Sequence, residues 1–223
     1  MSFLSELEVV LLKTTAAYDV IKTLYPSFFA NLAKQFNDLD LFKNNIWRIP
    51  RVPSFVFVHI LAPHPPYRFD GDCRQRHNVK PELTGWDWHA KPLYIESLKC
   101  VNRRLLGTID EILRAFPDSI IIVQGDHGSG FLGKETGNGD DADLAWDPGA
   151  IVERLNILNA MLLPERCRHY AYDTITPVNT FRLVIGCLSG HAPRLLTDRH
   201  YLAGYTHGNV RAVDLTWVKA PSH

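Results

Sequence analysis

At 223 residues, with 46% hydrophobic and 22% charged side chains, the chain has the make-up of one globular domain or most of a larger one. Its 24 basic and 24 acidic residues cancel, leaving no cationic excess for a nucleic-acid backbone. No run reaches the roughly 18 apolar residues of a membrane span, and Met1-Ser2-Phe3 lacks the basic start of a signal peptide. As it stands, the chain reads as soluble and cytoplasmic, without a membrane span.

In chain order, Leu4, Leu7 and Leu11 have the spacing of an amphipathic helix. Helical period continues through residues 18–24 and 28–36, broken at Pro26, and residues 37–45 are polar and turn-rich. Residues 1–45 read as two or three short helices. This places a helical segment at residues 1–49 ahead of an α/β domain at residues 50–223.

Pro50 and Pro53 precede a nearly continuous apolar run at residues 54–61, which predicts a strand. It leads into Ala62-Pro63-His64-Pro65-Pro66-Tyr67. Three prolines around one histidine stiffen the backbone and remove donors, so His64 is either presented by a rigid loop or incidental to a proline-rich connector. His59, inside the run, reads as a core histidine. Residues 68–91 are long for a structureless connection, which predicts a site cover or a locally pinned segment. Pro92 stands at a favoured first-turn position. Tyr94, Leu98, Val101, Leu105, Ile109 and Ile112 then carry helical spacing up to Phe116.

After Pro117-Asp118, the β-branched run of residues 120–123 predicts a strand buried on both faces. With residues 54–61 and the intervening helix it predicts a βαβ unit containing a parallel pair. The strand ends in Gln124-Gly125-Asp126-His127-Gly128-Ser129-Gly130. Ligands of open α/β sheets bind outside the carboxyl ends of strands, where Asp126 and His127 would stand. A carboxylate and an imidazole are half of a zinc or manganese site, although Asp and Gly are also ordinary turn formers.

Residues 135–147 are rich in Gly, Asp and Asn but lack the alternation and closing Glu of a calcium loop, so they read as a solvated loop. A helical turn is expected at residues 151–155 and a third strand at 158–163. A helix is expected from Pro177 to Leu188, and an edge strand at 211–218. The four cysteines have no CxxC spacing, which argues against a zinc knuckle.

Several segments follow one another in a familiar order. They are Phe-Val-Phe-Val-His-Ile-Leu-Ala-Pro-His-Pro-Pro-Tyr (55–67), residues 94–102, Ile-Val-Gln-Gly-Asp-His-Gly (122–128), Leu-Asn-Ala-Met-Leu-Leu-Pro (158–164) and Pro-Val-Asn-Thr-Phe-Arg (177–182). Across roughly residues 50–205 the chain resembles the sulfatase-like branch of the alkaline phosphatase superfamily. That branch includes arylsulfatases, phosphoglycerol and phosphoethanolamine transferases, and lipoteichoic acid synthases. The resemblance implies an α/β/α sandwich around a largely parallel sheet. It implies metal-dependent hydrolysis or transfer of phosphate or sulfate esters. Asp126 and His127 take the place of metal ligands, for manganese, zinc, magnesium or calcium. His64 takes the place of the histidine that contacts the transferred group.

The resemblance also has a gap. The family's nucleophile, a Thr, Ser or modified Cys, and its first metal carboxylate lie upstream of the PHxPY strand. Thr14-Thr15 does not match that segment, so the chain looks like the C-terminal half of such a protein. A non-catalytic fragment or degenerate copy acting as a binding module is the alternative. A metallophosphoesterase fold would need an Asp-x-His near its first strand, and residues 1–53 contain none. Family members usually reside outside the cytoplasm on membrane anchors, where disulfides persist. A Cys73–Cys100 bridge would then tie down the long loop, closing about 27 residues for roughly 3 kcal/mol; the alternative is two unrelated thiols, Cys100 packed in the helix face and Cys73 exposed. Cys167 and Cys187 are a weaker second pair, a core position at Cys187 being the simpler reading.

Overall fold

The structure, a computed structural model, describes residues 37–76, 88–132, 148–206 and 209–215. The chain divides into two compact units, Met1–His64 and Pro65–His223. Expectations for residues 1–36, the calcium-loop question at 135–147 and the end of the predicted edge strand lie outside the described residues.

In the first unit, α1 (Asn37–Asn45) runs into a 3-10 helix, Ile46–Arg48. Asn45 joins them. Its Nδ2 donates to the Leu41 carbonyl at 2.7 Å, and its Oδ1 accepts from Arg48 Nη1 at 3.1 Å. Leu39 and Ile46 are buried beneath this junction. Residues 54–61 form no strand, which corrects the sequence reading; Phe55 is 76% exposed and Phe57 78% exposed. An apolar run predicts an extended, sheet-ready segment, but a strand also needs a ladder partner that periodicity does not specify.

The second unit opens on a hairpin-like loop bridged at Phe69 and Gln75. Asp70 organises it: its Oδ1 accepts from the amides of Asp72 (2.9 Å) and Arg74 (2.8 Å). The amide bond from Arg74, opposed by partial burial, holds this carboxyl below the usual aspartate value. The loop is pinned to α2 (Lys91–Ala115), which has Pro92 in its first turn as expected. Gly71 N donates to Glu96 Oε2 at 2.9 Å, Ser97 Oγ donates to the Phe69 carbonyl at 3.0 Å, and Cys73 is disulfide-bonded to Cys100. Cys73 adopts a left-handed φ of 63°, unusual for a residue with a Cβ. The pinned-segment expectation therefore holds for this loop. Val101 of the predicted stripe is buried in α2, but the other buried positions, Ser97, Cys100, Thr108 and Ala115, are small side chains outside that stripe.

Strand β1 (Ile121–Gln124) pairs antiparallel with β2 (Asn159–Leu162), Ile121 opposite Leu162 and Gln124 opposite Asn159. This replaces the expected parallel pair. The connection between them contains α3 (Pro148–Leu155). After β2 come the short helix α4 (Glu165–Arg168), α5 (Pro177–Ser189) and the antiparallel pair β3 (Tyr201–Thr206) and β4 (Asn209–Asp214). The described fold is thus mixed α and β with small antiparallel sheets.

The core follows from strand alternation. Ile122 and Met161 face one way, onto Leu163, Cys167, Leu183, Val184 and Cys187, with Ile120, Tyr170 and Ile175 at the margin. A second disulfide, Cys167–Cys187, ties α4 to α5 inside this cluster. The opposite β2 face, Ala160 and Leu162, is exposed, so the strands are half-covered rather than buried on both faces. α5 repeats the theme: Leu183, Val184 and Cys187 are buried, while Val178, Phe181, Ile185 and Leu188 face outward at helical spacing. Gly190, at a left-handed φ of 71°, closes α5.

Candidate functional site

The sheet ladder continues one bond past β1, Gly125 N donating to the Leu158 carbonyl at 2.8 Å, and the chain then turns. Asp126 and His127 occupy the turn. Asp126 Oδ1 accepts from the His127 amide at 3.0 Å, and Asp126 Oδ2 lies 3.5 Å from His127 Nε2. The Asp126 side chain is 88% exposed and that of His127 is 37% exposed, so both are open to solutes. His127 Nδ1 lies 2.9 Å from the Gly128 carbonyl oxygen. A carbonyl only accepts, so Nδ1 is the donor in this contact, and Nε2 stands on the Asp126 side of the ring.

The loop is held by the last turn of α3. Gly128 N donates to the Arg154 carbonyl at 2.7 Å, and Arg154 Nη1 donates back to the Gly128 carbonyl at 3.0 Å. The approach is close enough to require glycine: a Cβ at Gly128 would lie 2.0 Å from the Glu153 carbonyl oxygen and 2.9 Å from that of Asn156. Beyond it, the Glu153 carboxylate gathers the loop, accepting from Ser129 Oγ (2.5 Å), Phe131 N (3.2 Å) and Leu132 N (2.7 Å).

Phe131 anchors the end of the loop in an aromatic run. It meets Tyr94 edge-on at 5.3 Å between ring centroids, and Tyr94 meets the fully buried Tyr67 at 5.9 Å. Burial, reinforced by the Glu153 carboxylate, pushes the Tyr94 hydroxyl pKa up, so it stays a neutral phenol. At the start of α2, a groove of about 430 Å³ is lined by Trp88, Lys91, Pro92, Ile95 and Glu96, with the Lys91 ammonium 4.0 Å above the Trp88 ring.

Of the three residues singled out in the sequence, Asp126 and His127 stand together as a donor pair. His64 ends the first unit, on a turn closed by its own amide donating to the Leu61 carbonyl at 2.7 Å. Among the described residues no three His, Cys, Asp or Glu side chains are gathered as one metal-ligand group. Donor chemistry and spacing do suit two corners of a cation site. Ligands about 2.1 Å from a tetrahedral ion are about 3.4 Å from each other, and the observed spacing is 3.5 Å. That is also longer than an ordinary N–H···O bond.

Sequence reasoning missed Glu153 and Arg154, which it read only as part of a helical turn. No motif marks them; their role comes from the chain returning α3 to the loop more than 20 residues later. No family model matches the chain, and neither does any curated protein or solved structure.

Proposed function

We propose that the chain carries part of a metal-dependent site for phosphate or sulfate esters, the C-terminal half of a hydrolase or transferase. The observation carrying this reading is the 3.5 Å pairing of Asp126 Oδ2 with His127 Nε2 on the exposed turn after β1. Those two atoms would hold a divalent ion such as manganese, zinc, magnesium or calcium, leaving the other positions to water and substrate. A bound ion would neutralise the ester oxygens and acidify the attacking hydroxyl. His64, on its proline-bounded turn, takes the transferred group in this reading, as a hydrogen-bond donor to the equatorial oxygens or an acid for the leaving group.

The same reading places the chain in a larger α/β/α sandwich with a mainly parallel sheet. A two-stranded sheet is marginal alone, and β1–β2 keeps one apolar face open. A helix apolar on both sides, as α5 is, belongs in the interior of a bigger fold. All four cysteines are in disulfides, which favours residence outside the reducing cytoplasm. No described helix is long and apolar enough to cross a membrane; the family's usual anchor is part of the proposal.

The alternative, a binding module without chemistry, is favoured by the openness of Asp126 and by a donor set of two. Calorimetric titration with zinc, manganese and calcium tests the metal reading. Binding weaker than micromolar, lost in Asp126→Ala and in His127→Ala, is the expected outcome; zinc binding indifferent to both substitutions would sink it. Assays with an aryl phosphate and an aryl sulfate separate the two readings. Turnover abolished by His64→Ala supports the enzyme, and metal binding without turnover supports the module.

A further inference from the structure

We infer that Arg154 is a positioning residue that sets the tautomer and orientation of His127 through the carbonyl of Gly128. This rests on the metal-site reading and adds a residue to it. The Gly128 oxygen lies 2.9 Å from His127 Nδ1 and accepts from Arg154 Nη1 at 3.0 Å. A carbonyl has two lone pairs, so both donors are accommodated at once. Arg154 also accepts from Gly128 N at 2.7 Å through its own carbonyl, so it holds the peptide before Gly128 as well as the peptide after it. The peptide that carries the Gly128 oxygen cannot turn away without breaking the charge-assisted bond from Arg154.

A fixed carbonyl direction has a chemical consequence. While the oxygen of Gly128 faces the imidazole, the proton belongs on Nδ1, and Nε2 keeps its lone pair on the side of Asp126 Oδ2. A rotated peptide would free Nδ1 and let the proton move to Nε2, where it would block the donor pair. Glu153 supports the same geometry from the other end, holding Ser129, Phe131 and Leu132. Backbone or carboxylate partners to the second nitrogen of a ligating histidine commonly change metal affinity by about 10- to 100-fold when removed. Arg154 acts one step further out, so the lower end of that range applies.

The test is proton–nitrogen correlation NMR on the full chain at about pH 8, above the unperturbed imidazole value of about 6.5, with His127 assigned by the loss of its signals in His127→Asn. The wild type is expected to show Nδ1 protonated. Arg154→Met removes the donor but keeps the apolar stem, and should give a mixture of tautomers. Arg154→Lys, which keeps a cationic donor, should restore much of the original ratio. Zinc affinity should fall about tenfold in Arg154→Met, with circular dichroism unchanged. An unchanged tautomer ratio in folded Arg154→Met overturns the inference. If that variant does not fold, the wild type decides: a dominant Nε2–H tautomer overturns it and a dominant Nδ1–H tautomer supports it. A tautomer shift in a protein that binds no zinc upholds the role of Arg154 and removes the metal reading. Zinc binding without a tautomer shift does the reverse.

Discussion

Asn179 Nδ2 donates to Asp198 Oδ1 at 2.9 Å from a side chain that is wholly buried at the start of α5. The same amide donates to the Leu196 carbonyl and accepts from the Leu196 amide, both at 2.8 Å. One side chain thus ties the segment after α5 back to its first turn. Asn179→Ala would leave the Leu196 groups without these partners, at about 2–3 kcal/mol. Thermal melting should show a midpoint lower by about 4–12 °C. An unchanged midpoint would mean that water or a shifted backbone replaces the amide.

Asp198 also accepts from Thr176 N (2.9 Å), Thr176 Oγ1 (2.5 Å) and the Tyr172 hydroxyl (2.5 Å). Burial pushes its carboxyl pKa up, but the bonds from Thr176, Tyr172 and Asn179 together hold it below the ordinary value. A depressed carboxyl stabilises the fold above its unfolded value, about pH 3.9, and loses that contribution as pH falls through the folded value. Melting temperature should therefore drop in acid below about pH 4. Asp198→Asn should remove part of that slope. A slope identical in the variant would rule out this carboxyl as its source.

The Tyr172 hydroxyl is pushed up, first by burial and then by its bond to Asp198. A raised folded value gives stability present below the unfolded value, about pH 10, and lost as pH rises beyond it. Tyr172→Phe should flatten the alkaline limb of the stability curve. It should leave the acid limb less steep as well, because Asp198 loses a donor.

Gly128→Ala tests the grip of α3 on the Asp126–His127 turn. The added methyl would meet backbone oxygen at 2.0 Å, so loop and helix must part. Overpacking of this kind costs about 1–3 kcal/mol. On the proposed metal reading, affinity should fall more than stability, because the displaced atoms are those proposed to orient His127. Equal affinity in a crystallised variant with an unmoved loop would contradict that account.

Reduction should act on two separate parts of the second unit. The sequence separations of 27 and 20 correspond to about 3–4 kcal/mol for each bridge. Cys73→Ser with Cys100→Ser should loosen the Asp70 hairpin, raising amide exchange at Gly71 and Asp72. Cys167→Ser with Cys187→Ser should lower the midpoint of the core transition itself. Uniform exchange across both regions in either double variant would show that they are not independent.

Among the described residues, local signals located the helices α2 and α5 and the strand at Ile121–Gln124. Pro92 and Pro177 lie in the first turns of their helices, where a missing amide hydrogen does no harm. The run before Gly125 formed a strand, as β-branched side chains favour. Pairing was not legible. Residues 54–61 and 120–123 look alike as sequence, yet Ile121–Gln124 pairs with Asn159–Leu162 and residues 54–61 form no strand. The site was half legible: Asp126 and His127 are sequence neighbours, whereas Arg154 reaches Gly128 from 26 positions away. The bond from Asn179 to Asp198 spans 19 positions and carries no motif that would pair them. Cys167–Cys187, the less favoured pairing, formed alongside Cys73–Cys100, because a core position and a bridge are compatible when α4 packs on α5.

Four cysteines allow three pairings, and this protein uses the sequential one, first with second and third with fourth. Neither loop encloses or crosses the other along the chain. Each thiol can therefore find its partner as soon as its own segment has emerged during synthesis, without waiting for distant sequence. An oxidant that joins cysteines in order of appearance produces the native set directly. Shuffling of wrong pairs by an isomerase should contribute little to its maturation.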